Sequence, residues 1–288
     1  MTSTPSSILF FLLFLSAQSL SQITLVDDLH RTVSLPTSAQ RIVSLAPSIT
    51  ETLFAIGAGN QIVGVTDYCN YPPEAKMKQR VGGIINPNIE TIVGLKPDLI
   101  VLSMEGNVRE DFNKLTSFGI PVFVTNPRNL NGIYKSIEQL GTLTGKTENA
   151  QQLVHWLQSR TDSIAKMVAQ VKKRAVLFFV SLQPIIVVGK NTFLAELIEL
   201  AGGINTASKA TSTYPTYSRE AVLKDNPDVL IFMSDVLSDP AKLIQLYPEW
   251  SKLKAFRQKT IFRIDADIVS RPGTRAVDGL EALYKRIH

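Results

Sequence analysis

Two rhythms of apolar and polar positions alternate along this chain. Short continuous apolar runs, in "RIVSLAP" at 41–47, Gln61 to Val65, Leu99 to Leu102, "VFVT" at 122–125 and "RAVLFFVS" at 174–181, read as strands buried on both faces. Between them, "SITETLFAIGAG" at 48–59 has the period of a helix. Ser48 and Glu51 form an S-x-x-E capping box there, with Gly57 or Gly59 as the stop. A shorter helix is expected from an Asn88 cap to about Leu95, broken before Pro97. The opening "QITLVDDLHRTVSLP" alternates residue by residue around Asp27-Asp28 and reads as a surface hairpin. Strands that alternate with helices and are themselves continuously apolar predict an α/β fold with mainly parallel sheets.

One segment breaks this alternation. From Thr147 to about Lys172 there is neither Gly nor Pro, and Ala150, Leu153, Val154, Leu157, Ile164, Val168 and Val171 recur at helical spacing, with Thr161 in the same series. A single amphipathic helix of roughly 25 residues, on the order of 38 Å long, is predicted. On either side of it the chain repeats itself. "NIETIVGLKPDLIVLS" at 88–103 returns as "SREAVLKDNPDVLIFMS" at 218–234, so that Glu90 and Glu220 stand 130 residues apart, each seven residues before a proline. "ETLFAIGAG" at 51–59 is paralleled by "ELIELAGG" at 196–203, and the chain closes on an amphipathic helix from Arg275 to Ile287. The reading is two similar α/β lobes, 22–146 and 173–288, joined by one long α-helix at 147–172, with a ligand cleft between the lobes.

The first residues lie outside that plan. "MTSTPSSILFFLLFLSAQSLSQ" has a short apolar core at 8–15 followed by small residues at Ser19 and Ser21, the arrangement of a secretory signal peptide at 1–21, although no Lys or Arg precedes the core. The apolar run is short for a membrane span. One cysteine, Cys69, rules out an internal disulfide, and none lies near the cleavage site to carry a lipid. A soluble, monomeric periplasmic protein is expected. The net charge of +5 comes from scattered Lys and Arg without interleaved aromatics, which argues against nucleic acid as a partner.

In open α/β sheets ligands lie beyond the carboxyl ends of the strands. The loops there are "TDYCNYPPE" at 66–74, "GGIINPN" at 82–88, "SMEGN" at 103–107, "SLQP" at 181–184, "STYPTYS" at 212–218 and "DADIVSRPGTR" at 265–275. They carry Tyr68, Tyr71, Ile85, Tyr214, Tyr217, Asp267 and Arg271, and tyrosines suit a large, partly aromatic ligand. Enzymes are poorly served. There is no G-x-S-x-G or H-E-x-x-H, no cleft loop carries a histidine, and Asp267 with Glu105 is the one carboxylate pair to weigh. His30, His155 and His288 are too dispersed for a metal cluster, so no resident metal or cofactor is expected. Cys69 reads as packing more readily than as a ligand.

"RIVSLAPSITETLFAIGAG", "GVTDYCNYPPEA", "NIETIVGLKPDLIV", "SREAVLKDNPDVLI" and "SRPGTR", in that order, resemble the cobalamin-binding branch of the periplasmic binding proteins, class III receptors with a helical backbone that serve ABC importers. The resemblance implies a receptor that captures a corrinoid and delivers it to a permease dimer. It also implies that Glu90 and Glu220 dock into an arginine pocket on each transporter subunit. A glutamate in the first turn of a helix is equally what the macrodipole favours, by about 0.3–1 kcal/mol. By the same resemblance Tyr68 and Asp267 match ligand-contacting positions, and Tyr214 falls where a cleft aromatic is expected. The family's cobalamin pocket is tryptophan-rich, whereas Ile84 and Ile85 occupy a loop where a tryptophan would sit. Trp156 and Trp250 fall on predicted helices away from the cleft loops. Haem or a ferric siderophore is therefore the competing ligand, with tyrosine as axial ligand and Arg271 either pairing with a carboxylate or bracing its own turn.

Overall fold

The computed structural model describes residues 22–104, 106–107, 109–237, 239 and 241–288. The expected signal peptide at 1–21 and Glu105 lie outside the described residues. In chain order the elements are β1 (Ile23–Val26), β2 (Thr32–Leu35), β3 (Ile42–Ser44), α1 (Pro47–Ala55), β4 (Ile62–Val65), α2 (Ile89–Gly94), β5 (Leu99–Ser103), α3 (Arg109–Ser117), β6 (Val122–Thr125), α4 (Leu130–Thr144) and α5 (Thr147–Val168). The second half continues with β7 (Arg174–Leu182), β8 (Ile185–Val187), α6 (Phe193–Leu200), β9 (Gly203–Asn205), α7 (Arg219–Asp225), β10 (Val229–Met233), α8 (Ala241–Leu246), α9 (Lys254–Arg257), β11 (Ile261–Ile264), α10 (Ala266–Ser270) and α11 (Ala276–Ile287).

The repeat in the sequence is a repeat in space. The N-terminal sheet has the order β4-β3-β5-β6, all parallel. In the C-terminal sheet β9, β7, β10 and β11 follow one another in the same parallel order, and the short β8 is added antiparallel against the second half of β7. The "KPD" and "NPD" tripeptides do the same work in both lobes. Lys96 and Asn226 adopt left-handed backbone, with φ of 48° and 41°. The aspartate then caps the neighbouring strand. Asp98 accepts the Gln40 and Arg41 amides at 2.7 and 2.9 Å, and Asp228 accepts the Ala175 amide at 3.0 Å. Asn88 and Ser218 cap α2 and α7 as expected, accepting from Thr91 and Ala221.

Strand alternation divides the interior. Ile42, Leu99, Val101, Val176, Phe178, Val229 and Ile231 face one cluster, while Val43, Ile100 and Leu102 in one lobe and Leu177, Phe179, Leu230 and Phe232 in the other face separate ones. The first cluster is continuous through both lobes: it runs from β2 and α1 across Ala150, Val154, Leu157 and Ile164 of α5 to α6 and α11. Apolar packing therefore fuses the lobes behind the cleft. Helix α5 is shorter than the predicted span because Gln170 and Val171 tighten onto the carbonyls three residues back. Polar contacts fix it as well, with the Tyr134 hydroxyl 3.0 Å from Thr161 and Arg160 reaching Asp278 and Glu281 of α11 at 2.8 and 3.1 Å.

Two local expectations are corrected. Ser48 is not the cap of α1: Pro47 takes the first helical turn and Ala46 precedes it, with no side-chain cap. Glu51 does not fold back to the helix start, because guanidinium groups of the other lobe claim its carboxylate. The hairpin turn at Asp27-Asp28 is also more than surface. Asp27 is 1% exposed, pairs with Arg31 and accepts the Leu29 and Arg31 amides, while Asp28 accepts the Asn126 amide at 2.6 Å.

Candidate functional site

The carboxyl ends of the two sheets meet along a seam, and one end of it is closed by an ion-pair network. Glu51, on α1, is 2% exposed. Arg275 approaches it from the start of α11, Nε to Oε2 at 2.8 Å and Nη2 to Oε1 at 2.7 Å. Arg271, just past α10, donates from Nη1 to Glu51 Oε1 at 2.7 Å and to Asn70 Oδ1 at 2.8 Å. Its Nη2 reaches Asp267 at 2.6 Å and the Tyr68 carbonyl at 3.5 Å. Asn70 closes the ring, donating to Asp267 Oδ2 at 3.0 Å. Glu51, Tyr68 and Asn70 belong to one lobe and Asp267, Arg271 and Arg275 to the other, so the network crosses the seam repeatedly. Two carboxylates meet two guanidinium groups, and the patch is neutral. The Glu51 carboxylate holds Arg275 above the usual guanidinium range, against the opposing effect of burial. Backbone contact is close here too: a Cβ on Gly273 would stand 3.1 Å from the Ser48 carbonyl.

At the other end of the seam Glu196 of α6 accepts the Leu130 amide at the start of α4, at 2.7 Å. Burial pushes its carboxyl up. Beside it lies a pocket of about 600 Å³ lined by Arg128, Asn129, Lys190, Asn191 and Glu199 among others.

Of the residues expected in the cleft, the structure brings Tyr68, Asp267 and Arg271 together. The Tyr68 ring is 60% exposed above a loop that is pinned from below. Cys69 is fully buried against Thr50 and Thr66, with its sulfur 3.1 and 3.2 Å from their hydroxyls, and Arg80 binds the Thr66 and Cys69 carbonyls. Ile85 stands out at 70% exposure from a loop tied down by Asn107, whose amide donates to the Ile84 carbonyl at 2.8 Å. Met104, at the end of β5, and Tyr214 are exposed as well.

Tyr217 is a correction. Thr213, Pro215 and Tyr217 hydrogen-bond along β8 and just past its end, with a bend at Thr213 and Tyr214. Tyr214 is exposed while Tyr217 packs on the C-terminal core, its hydroxyl donating to Asp225 at 2.6 Å, with burial pushing its ionisation well up. It lines a groove with Glu220 and Tyr247, away from Asp267 and Arg271. Tyr71 also leaves the group, lying under the Arg275 guanidinium at 4.3 Å in a groove it shares with Phe54 and Trp156. Trp250 is buried against Phe179 and Tyr247. Arg271 is a brace, its guanidinium engaged by Glu51, Asn70, Asp267 and the Tyr68 carbonyl. Sequence reasoning missed Glu51, Asn70 and Arg275. The one charged residue of an otherwise uncharged helix is the one available signal, and its partners lie more than two hundred residues away.

Glu90 and Glu220 are exposed in the first turns of α2 and α7. The carboxyl of Glu220 is held below the ordinary range by its own backbone amide and the Ser218 hydroxyl.

Two lobes of one topology, fused by a single crossing helix and carrying exposed aromatic and apolar side chains on the loops beyond their strands, have the plan of a small-molecule receptor. The chain belongs to the periplasmic binding protein family, whose model matches residues 42–268. It is 32% identical to the uncharacterized ABC transporter substrate-binding lipoprotein YvrC of Bacillus subtilis, over 92% of this chain and 85% of that one. The vitamin B12-binding protein BtuF of Vibrio cholerae superposes with a TM-score of 0.78 at 29% identity, covering 86% of this chain and 96% of that one. The heme-binding protein RhuT of Roseiflexus does so with a TM-score of 0.78 at 26% identity, covering 87% and 100%. The protein is thus a substrate-binding protein of the ABC-transporter type, in the class that includes B12 and heme receptors.

Proposed function

We propose that the protein captures a corrinoid, cobalamin in particular, between its lobes outside the cytoplasm and presents it to a membrane permease. The observation that carries this reading is the neutral ion-pair network at one end of the cleft, whose guanidinium groups are engaged inside the protein. Arg271 and Arg275 are spent on Glu51, Asp267, Asn70 and a backbone carbonyl. Among the described residues of that network, a carboxylate on a ligand finds both guanidinium groups already engaged. Cobalamin has a rim of neutral amides, which can donate to the part-exposed Asp267, and an apolar corrin face, which can pack against Tyr68, Tyr214 and Ile85. The vitamin B12-binding relatives favour the same ligand. Haem is the second reading, favoured by the exposed Tyr68 phenol as an axial ligand and by Lys190 in the pocket at the other end of the seam.

Calorimetric titration of the purified protein with cyanocobalamin, beside an absorbance titration with hemin, separates them. Saturable one-to-one binding of cyanocobalamin, weakened by Tyr68→Ala and Asp267→Ala, is expected. No heat with cyanocobalamin and a shifted Soret band with hemin, lost in Tyr68→Phe, replaces the corrinoid with haem.

A further inference from the structure

A second cavity lies outside the cleft, at the edge of the N-terminal sheet where the hairpin turn faces α3. It measures about 560 Å³, within the range of small-molecule sites. Leu29, Leu102, Met104, Phe112 and Val124 form apolar walls, of which Leu102 and Val124 are buried. The polar lining is Arg31, Asn107, Arg109 and Asn113, with no carboxylate among the described residues.

The two arginines decide what such a cavity accepts. Arg31 sits over the Phe112 ring, its guanidinium carbon 4.3 Å from the centroid, and its Nη2 is taken by Asp27 and by the Val122 carbonyl at 3.1 Å. Its Nε–H is buried and has no acceptor. Buried donors are almost always satisfied, so one left open beside a cavity is explained by an acceptor that arrives with a ligand. Arg109 is exposed and makes no ion pair among the described residues. Asp27 offsets Arg31, so among the described residues the lining carries an excess of one positive charge, from Arg109. Asn107 is occupied: its carbonyl accepts the Ser103 amide at 2.9 Å, and its amide holds the Ile84 and Leu45 carbonyls. That side chain lines the cavity and also ties down the cleft loop bearing Ile85, while none of Tyr68, Ile85, Tyr214 and Asp267 lines the cavity.

We infer that this cavity binds a small monoanion with an apolar tail, of the medium-chain carboxylate class. The carboxylate lies between Arg31 Nε and Arg109, and the tail packs on Leu102, Phe112 and Val124. The inference is independent of what fills the cleft.

Calorimetry with decanoate and decanamide, both below their aggregation concentrations, tests it on the whole purified protein. Decanoate should bind one-to-one and about 10-fold tighter than the uncharged amide, as charge-assisted hydrogen bonds require. Arg109→Gln should remove most of that difference. Because Arg31→Gln also strips Asp27 of its partner, the exposed Arg109 is the variant that keeps the fold. Tyr68→Ala should leave decanoate binding unchanged. Equal binding of acid and amide, indifference to Arg109→Gln, or loss in Tyr68→Ala would each overturn the assignment.

Discussion

Glu51 is an acid at 2% exposure held by two guanidinium groups that are themselves only 12% and 15% exposed. Such a cluster gains little over an apolar replacement of the whole set, but removing one member leaves charge buried without compensation. Glu51→Gln is therefore expected to cost about 3 kcal/mol, read from urea unfolding. A loss below 1 kcal/mol, by the same measurement, would mean that water already screens the pair. The same network explains why Arg271, which looked from the sequence like a candidate for a ligand carboxylate, is a positioning residue. It sets Asp267 and the Tyr68 backbone.

At the scale of elements, helix α11 depends on one glycine. Gly279 lies on a buried face where an added Cβ would come within 2.5 Å of the Ile268 carbonyl of α10. Propensity alone makes alanine better there by about 1 kcal/mol; the backbone contact reverses the sign. Gly279→Ala is expected to lower the melting temperature, and an increase would show that α10 can shift. The α4–α6 contact carries a pH signature. Glu196 has a raised pKa in the folded protein, from burial, so the folded state binds its proton more tightly than the unfolded chain. The stability it contributes is complete below the ordinary value of 4.5 and is lost as pH rises through the raised one. Glu196→Gln should flatten stability against pH in that window. An unchanged profile would assign the slope to other carboxylates.

The whole molecule has one apolar core running behind both lobes, a crossing helix clamped to each, and polar closures at both ends of the seam. Wide hinge closure would have to break all of these at once. Small-angle scattering is expected to show no resolvable compaction on ligand binding, and a clear fall in radius of gyration would contradict the fused core. A rigid, pseudo-symmetric body suits docking by fixed points. The double substitution Glu90→Ala with Glu220→Ala is expected to weaken permease association while leaving ligand affinity intact, measured by co-purification and calorimetry. Undiminished association would leave these glutamates as first-turn acids favoured by the helix dipole alone.

The sequence by itself determined the α/β class, the two lobes of one design, the long helix and the caps of α2 and α7. Each rests on local rules: apolar periodicity, proline and glycine punctuation, and a hydroxyl or amide one residue before a helix. The internal repeat extended that reach, because two copies of a pattern at a fixed offset imply two copies of a fold. Tertiary structure decided what lies across the seam. Whether Glu51 caps its own helix or pairs with Arg271 and Arg275 depends on groups more than two hundred residues away, which local pattern does not encode. Tyr214 and Tyr217 look equivalent as loop tyrosines until the pairing of residues 213–217 with β8 turns one outward and buries the other. The second cavity is hidden for the same reason, since Arg31 and Arg109 meet only when the hairpin docks on β6 beside α3.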